Sequence, residues 1–160
     1  MDYAKALQAL ARGGVEFILV GGAAATAHGS ARLTQDLDVV YRRNDTNLER
    51  LVESLALHDP YLRGAPPGLP FRLDVSTLRH GLNFTLTTNL GDLDLLGEIV
   101  GGGTYEDLVE HSLWLELFGI RCRCLDLETL IQTKRAAGRP KDFDAIAELE
   151  AIVRIRPRPE

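Results

Sequence analysis

The chain contains few of the residues that stabilise small extracellular domains. Only 2 of its 160 residues are cysteine, and aromatic residues make up 6% of the sequence. Two cysteines cannot form a disulfide framework, so we expect a reducing, cytoplasmic environment. Cys122 and Cys124 have no further ligands at a spacing suited to zinc, and we predict that both are free thiols, buried or half-buried.

Long hydrophobic runs and an excess of positive charge are also absent from the sequence. The longest apolar segments, such as FILV at 17–20, are far too short to cross a bilayer, and the N-terminus has no signal-peptide pattern. We therefore expect no membrane association. The 18 basic and 23 acidic residues give a net charge of −5. This balance disfavours a protein that binds nucleic acid through an overall positive surface.

Hydrophobic periodicity predicts a single domain over 1–153 and a flexible C-terminal tail over 154–160. Short apolar runs alternate with amphipathic segments, which favours an α+β fold with a mixed β-sheet flanked by helices. The proline- and glycine-rich segment 59–70 is predicted to be a loop. Predicted strands cover 16–20, 37–41, 71–75, 82–87, 93–96, 113–118 and 120–125. Predicted helices cover 2–12, 23–28, 47–57, 127–137 and 141–153.

Two aspartates accompany the second predicted strand. Asp36 and Asp38 are two residues apart, so their side chains leave the strand on the same face, about 6–7 Å from each other. Leu37 and Val39 point to the opposite face, toward the core. Carboxylates held this way repel each other at neutral pH unless a cation binds between them. Their hard oxygen ligands suit Mg²⁺ or Mn²⁺.

Two glycines, Gly21 and Gly22, lie between a predicted strand and a predicted helix. Backbone N–H groups at such a position attract anions, and the absence of a side chain lets a phosphate approach closely. Phosphate-binding glycines followed by metal-binding carboxylates indicate phosphoryl or nucleotidyl transfer. Two simpler interpretations stay open: the glycines form only a tight turn, and the aspartates only a solvated edge of the sheet.

The segment VGGAAATAHGSARLTQDLDVV, at 20–40, resembles the signature of the DNA polymerase β-like nucleotidyltransferase superfamily. Within that superfamily it looks like the minimal stand-alone nucleotidyltransferases related to the AbiEii type of toxin. The resemblance implies that Gly21 and Gly22 contact nucleotide phosphates and that Asp36 and Asp38 hold two metal ions. By the same analogy, Arg32 and Thr34 would lie near the phosphates.

The family pattern further implies a third acidic residue on a later strand. Asp94 is the best candidate because it is the one polar residue within LDLL, at 93–96. It would help to hold the metal and would activate the acceptor hydroxyl as a base. Asp92 is expected at the mouth of the strand, and Asp74 is a weaker competing candidate.

A basic segment, LIQTKRAAGRPKDFDAI at 130–146, resembles the segment that AbiEii-like nucleotidyltransferases carry after the metal-binding strand. The resemblance implies that Lys134 contacts the triphosphate, where an ammonium group would stabilise the leaving pyrophosphate. Basic residues near a helix end also complement the helix dipole. Whether Lys134, Arg139 and Asp142 act in catalysis or only in structure therefore stays open.

These features lead us to predict a metal-dependent nucleotidyltransferase that moves NMP from an NTP to an acceptor hydroxyl. The acceptor is an RNA, a protein or a small molecule. Candidate partners are the NTP, Mg²⁺ or Mn²⁺, a tRNA or protein acceptor, an antitoxin and a second copy of the chain. One alternative is an antibiotic adenylyltransferase of the aminoglycoside or lincosamide type. Another is a catalytically inactive nucleotide-binding or interaction module of the same fold.

Overall fold

The structure is a computed structural model that describes residues 2–32 and 34–156. Its strands are β1 Phe17–Val20, β2 Asp36–Tyr41, β3 Tyr61–Leu62, β4 Phe84–Thr88, β5 Gly91–Leu96, β6 Glu98–Ile99, β7 Gly103–Thr104, β8 Ser112–Leu117 and β9 Ile120–Leu125. Its helices are α1 Tyr3–Arg12, α2 Gly21–Ala27, α3 Asp45–Leu55, α4 Val75–His80, α5 Tyr105–Leu108, α6 Leu127–Ala137 and α7 Phe143–Ile155.

Seven of these strands form one mixed sheet in the order β3-β4-β5-β2-β1-β9-β8. Strand β2 runs parallel to β5 and antiparallel to β1, and β1 runs parallel to β9. The remaining neighbours in this sheet pair antiparallel. The predicted α+β fold with a mixed sheet and flanking helices is therefore confirmed.

The core lies where the central strands meet the helices. Strand β1 is buried along its whole length, and β2 buries Leu37 and Val39. Asp36 and Asp38 alternate with those residues and are only half-buried, as expected for side chains on the opposite face of the strand. The packing of Leu37 and Val39 thus fixes the direction in which the two carboxylates point.

Strong local signals set the ends of the helix that carries Lys134. The Asp126 side chain caps α6 by accepting a hydrogen bond from Thr129 N at 2.7 Å. Gly138 ends the helix with a φ of 64°, in the left-handed region that glycine adopts without strain. The predicted helix over 127–137 is confirmed. The last helix, α7, extends to Ile155, and residues 157–160 of the predicted tail lie outside the described residues.

The prediction of a strand over 71–75 is wrong. Asp74 instead caps helix α4, because its Oδ1 accepts a hydrogen bond from Thr77 N at 2.8 Å. An aspartate favours such a cap over an extended strand, since its short side chain reaches backbone groups nearby. Strand β4 pairs with β5 and with the short β3, which lies inside the segment 59–70 that was predicted to be a loop.

Two further observations bear on the sequence-based expectations. Cys122 and Cys124 are both buried free thiols, as predicted. Among the described residues, no helix combines the length and the apolar character that crossing a membrane requires.

Asn47 fastens α3 to the chain next to β1 and β2. Its buried side chain accepts a hydrogen bond from Glu16 N at 2.7 Å and donates to Glu16 O and Arg42 O at 3.0 and 2.7 Å. Asn47→Ala leaves these backbone groups without their partner and should lower the free energy of unfolding by about 2–4 kcal/mol. Urea denaturation measures this change.

The neighbouring exposed residue on α3 provides the control. Thr46→Ala should change the free energy of unfolding by less than about 0.5 kcal/mol. An equally small effect of Asn47→Ala would contradict the structural role assigned to this side chain.

Candidate active site

Four aspartates lie together on one face of the sheet. Strands β2 and β5 pair in parallel with Asp36 opposite Asp92 and Asp38 opposite Asp94. Directly paired residues project to the same face. The structure therefore brings the three acidic residues predicted for the site, Asp36, Asp38 and Asp94, onto one face, with Asp92 as a fourth member.

Asp38 is the most electrostatically perturbed of these residues. Burial raises its pKa, and the adjacent carboxyl groups of Asp94 and Asp36 raise it further, to about 7. The charge of Lys134 acts in the opposite direction and lowers it. The surroundings of Asp38 therefore disfavour its charged form.

A residue that the sequence analysis did not identify, Arg63, contacts this acidic face. Its Nη2 donates to Asp94 Oδ1 at 2.7 Å, while its Nε lies 3.3 Å from Asp92 Oδ2 and its Nη1 lies 3.8 Å from Asp36 Oδ2. The position immediately follows strand β3 in a segment rich in proline and glycine. A lone arginine in such a segment carries no local pattern that would predict the contact.

The two glycines make room for neighbouring side chains of the site. Gly21 begins α2 with a φ of 64°, and a Cβ atom added there would lie 2.1 Å from Asp38 Oδ2. A Cβ atom on Gly22 would lie 2.6 Å from Thr34 Oγ1. Any larger residue at Gly21 would collide with the carboxylate and would strain the backbone. The glycine turn and Asp38 therefore pack directly against each other.

Arg32 and Thr34 take different positions relative to the acidic face. Thr34 lies beside Gly22, and its hydroxyl donates to Asp36 O at 3.2 Å. Arg32 points away toward α7, where its Nε lies 3.8 Å from Glu148 Oε1. Leu33, between them, is outside the described residues. The structure thus gathers Thr34 with the glycines, but it does not bring Arg32 into contact with the carboxylates.

A cleft of about 340 Å³ opens beside Asp38 and Asp94. Gly21 lies on its wall, together with Lys134 and Arg139. The cleft therefore joins the glycine turn, two of the aspartates and the basic segment, which lie far apart in the sequence.

The basic residues of the cleft share one buried carboxylate. Lys134 has a side chain only 14% exposed, and its Nζ lies 3.9 Å from Asp142 Oδ1. Arg139 Nε donates to Asp142 Oδ2 at 2.7 Å. One carboxylate thus offsets two cations, so this cluster keeps a net positive charge that faces the cleft.

The competing acidic candidates differ in their surroundings. Asp74 is the cap of α4, and its hydrogen bond from Thr77 lowers its pKa. It therefore has a structural role away from the strand pair. Asp92, predicted at the mouth of its strand, belongs to β5 and faces Asp36.

The carboxylates offer a partial ligand set for a divalent cation. In the described part of the chain, no group of three or more His, Cys, Asp or Glu side chains has the geometry of a metal site. Asp38 and Asp94 are neighbours across the strand pair, and their oxygens are the ligands that Mg²⁺ and Mn²⁺ prefer. Mg²⁺ is commonly bound through one or two carboxylates plus substrate phosphates, so this donor set fits a metal that arrives with a nucleotide.

Comparison with known proteins identifies the fold. No protein-family model matches the sequence, and no curated protein matches it significantly. A proposed nucleotidyltransferase from Thermotoga maritima superposes with a TM-score of 0.55 at 13% identity, covering 94% of this chain and 96% of that protein. An antigenic nucleotidyltransferase-like protein from Paracoccidioides brasiliensis superposes with a TM-score of 0.58 at 15% identity, covering 99% and 78%. The chain therefore has a nucleotidyltransferase fold, as predicted.

The raised pKa of Asp38 predicts how the stability of the protein depends on pH when a chelator keeps it free of metal. Because the folded-state pKa lies above the ordinary value of 3.8, the folded protein binds this proton more tightly than the unfolded chain, and stability falls as the pH rises toward about 7. The unmodified protein should lose unfolding free energy between about pH 5 and about pH 8. In Asp38→Asn this loss should be smaller by about 2 kcal/mol. Urea denaturation at the two pH values measures it.

Asp59→Asn, at an exposed aspartate two residues before β3, controls for the loss of one negative charge. It should leave the pH dependence unchanged. If Asp38→Asn lost as much stability with rising pH as the unmodified protein, the electrostatic account of this site would be wrong.

Proposed function

We propose that the protein is a metal-dependent nucleotidyltransferase that moves NMP from an NTP to an acceptor hydroxyl. The observation that carries the proposal is the pairing of Asp38 with Asp94 across two parallel strands, directly against the Gly21 turn. The shared nucleotidyltransferase fold and the resemblance of residues 20–40 to the superfamily signature support it.

Asp38 and Asp94 would hold Mg²⁺ or Mn²⁺, with Asp36 as a further carboxylate on the same face. The metal would offset the charge of the phosphates and polarise the oxygens that are exchanged at the α-phosphorus. Asp94 would accept the proton of the acceptor hydroxyl, as the third carboxylate does in the superfamily mechanism. The acceptor oxygen forms a bond to the α-phosphorus, and the bond to the pyrophosphate oxygen breaks.

The glycine turn and Lys134 would bind the triphosphate. Gly21 and Gly22 present backbone without side chains beside Asp38, which leaves room for a phosphate to approach. Lys134 lies across the cleft, so its ammonium group would offset charge on the leaving pyrophosphate. Thr34 supports the turn from the other side. Arg32, directed toward Glu148, would reach a phosphate only after leaving that ion pair.

Two features bear on the chemical class of the acceptor. The resemblance to minimal AbiEii-type proteins favours an RNA or protein acceptor and a toxin–antitoxin context. The net charge of −5 favours a small or protein acceptor over a large RNA, because RNA binding draws heavily on positive surface charge.

A second candidate function is a catalytically inactive module of the same fold. The contacts of Arg63 with Asp94, Asp92 and Asp36 favour it, because a fixed internal cation can replace a metal ion in a structural role. A protein of this kind would not need divalent metal for nucleotide binding.

Nucleotidyl transfer is tested directly with α-³²P-labelled nucleoside triphosphates, Mg²⁺ and acceptors from total tRNA or cell lysate. Asp38→Asn and Asp94→Asn should each reduce label transfer by about a hundredfold or more, because each removes a metal ligand. Calorimetry with Mn²⁺ and nucleotide should show a parallel loss of binding.

Asp59→Asn is the matched control and should transfer label normally. Unchanged transfer or unchanged Mn²⁺-dependent nucleotide binding in both site variants would refute the enzymatic proposal. Nucleotide binding that changes neither with Mn²⁺ nor with these substitutions would support the inactive module.

The role of Lys134 is separable from that of Arg139. Lys134→Gln should weaken binding of a nucleoside triphosphate by about tenfold while leaving the monophosphate nearly unaffected, because the ammonium is proposed to contact the outer phosphates. Arg139→Gln removes the other cation that contacts Asp142. An equal loss of affinity for the triphosphate and for the monophosphate in Lys134→Gln would contradict a contact of Lys134 with the outer phosphates.

A further inference from the structure

Arg63 follows the edge strand β3, which β4 separates from β5, and its side chain reaches the acidic face. Its guanidinium group comes within 4 Å of three carboxylates: that of Asp94, which the proposed function assigns to the metal, and those of Asp36 and Asp92 on the same face. The other cation near these aspartates is Lys134, which is paired with Asp142. Among the described residues, Arg63 is therefore the cation that pairs with Asp94, Asp92 and Asp36.

The backbone of Arg63 is held in place independently of these carboxylates. Arg63 N donates to Thr85 O at 3.0 Å, which continues the pairing of β3 with β4. The loop that follows is fastened by Tyr61, whose hydroxyl donates to Pro66 O at 2.6 Å and accepts from Leu69 N at 3.1 Å. The point from which the side chain extends is thus fixed by contacts that a metal ion would not disturb.

The guanidinium group is held by fewer hydrogen bonds than its N–H groups could make. Its Nη2 also donates to Leu86 O at 2.7 Å, but Nε, although close to Asp92, makes no hydrogen bond to any described residue. The side chain remains 26% exposed. A long side chain with a solvent-accessible path can leave by rotating about its own bonds, and the strand need not move.

We propose that Arg63 is a displaceable internal cation that pairs with Asp94, Asp92 and Asp36 and competes with the divalent metal for Asp94. The inference rests on the proposed function. In the metal-free protein the guanidinium group relieves the repulsion among the aspartates; when metal and nucleotide bind, it leaves them. The position of Arg63 thereby sets the concentration of divalent metal that the site requires.

Charge explains the direction of the competition. One guanidinium group supplies a single positive charge spread over a planar fork, whereas Mg²⁺ or Mn²⁺ supplies two charges at a point. The guanidinium group and the metal ion are both positively charged, so they repel each other when they bind the same carboxylates. Removing Arg63 should therefore make metal binding tighter, whereas removing a residue that merely supports the fold would weaken it or leave it unchanged.

Calorimetric titration of Mn²⁺ together with a non-hydrolysable nucleoside triphosphate into the protein tests the proposal. Arg63→Gln should bind Mn²⁺ about tenfold more tightly or better, since the competing charge is gone. Arg79→Gln is the matched control, because Arg79 forms an arginine–aspartate pair with Asp45 at 2.8 Å, apart from the acidic face. It should bind Mn²⁺ like the unmodified protein. Adding Asp94→Asn to Arg63→Gln should abolish the gain.

The outcomes separate this inference from the proposed function. If Mn²⁺ binding depends on Asp38 and Asp94 but is equal or weaker in Arg63→Gln, the competition is refuted and the metal site stands. If neither the unmodified protein nor any variant binds Mn²⁺, with or without nucleotide, the metal-dependent function and the competition by Arg63 are both refuted.

A second measurement needs no substitution at Arg63. In uniformly ¹⁵N-labelled protein, Mg²⁺ with a non-hydrolysable nucleotide should shift the side-chain Nε–H resonance of Arg63 and leave that of Arg79 in place. An unshifted Arg63 resonance in protein that has bound Mg²⁺, as judged by the Asp94 backbone amide, would overturn the inference even if Arg63→Gln does not fold.

Discussion

Electrostatic repulsion among four carboxylates is the constraint around which this protein is arranged. Parallel pairing of β2 with β5 places Asp36 opposite Asp92 and Asp38 opposite Asp94, and the packing of Leu37 and Leu93 into the core prevents either strand from turning its acidic residues away. Burial raises the pKa of Asp38, and repulsion from Asp94 and Asp36 raises it further, to about 7. The surrounding features, namely Arg63, Lys134 and the glycine turn, all bear on how that charge is offset.

The part of this site that follows local rules was predictable from the sequence. The alternation of aspartate with apolar residues in Asp36–Tyr41 and Gly91–Leu96 fixes the face of each side chain, because the period of a strand is two. Gly21 and Gly22 were predicted to lie between a strand and a helix, and they are the first two residues of α2; the close contact of Gly21 with Asp38 explains why a side chain is excluded there. The fold class followed from the same patterns.

The remainder depended on contacts between distant segments. Arg63 reaches Asp94 from a two-residue strand, and neither the length of β3 nor its proline-rich surroundings distinguish it from a loop. The strand prediction at 71–75 was wrong because the sequence alone does not distinguish a helix-capping aspartate from an aspartate in a strand. The hydrogen bond from Thr77 N to Asp74 makes that distinction. Arg32 matched a family pattern, yet its neighbour in the structure is Glu148. Sequence spacing cannot report such tertiary partners.

The central claim is that the acidic face binds a divalent metal together with a nucleotide. The most direct test is the anomalous scattering of Mn²⁺ in crystals grown with a non-hydrolysable nucleoside triphosphate. The account predicts an anomalous peak within coordination distance of the carboxylates of Asp38 and Asp94, with phosphate oxygens as further ligands and the Arg63 guanidinium group moved away. Nucleotide bound without a Mn²⁺ peak at these carboxylates, and with Arg63 still on Asp94, would contradict it.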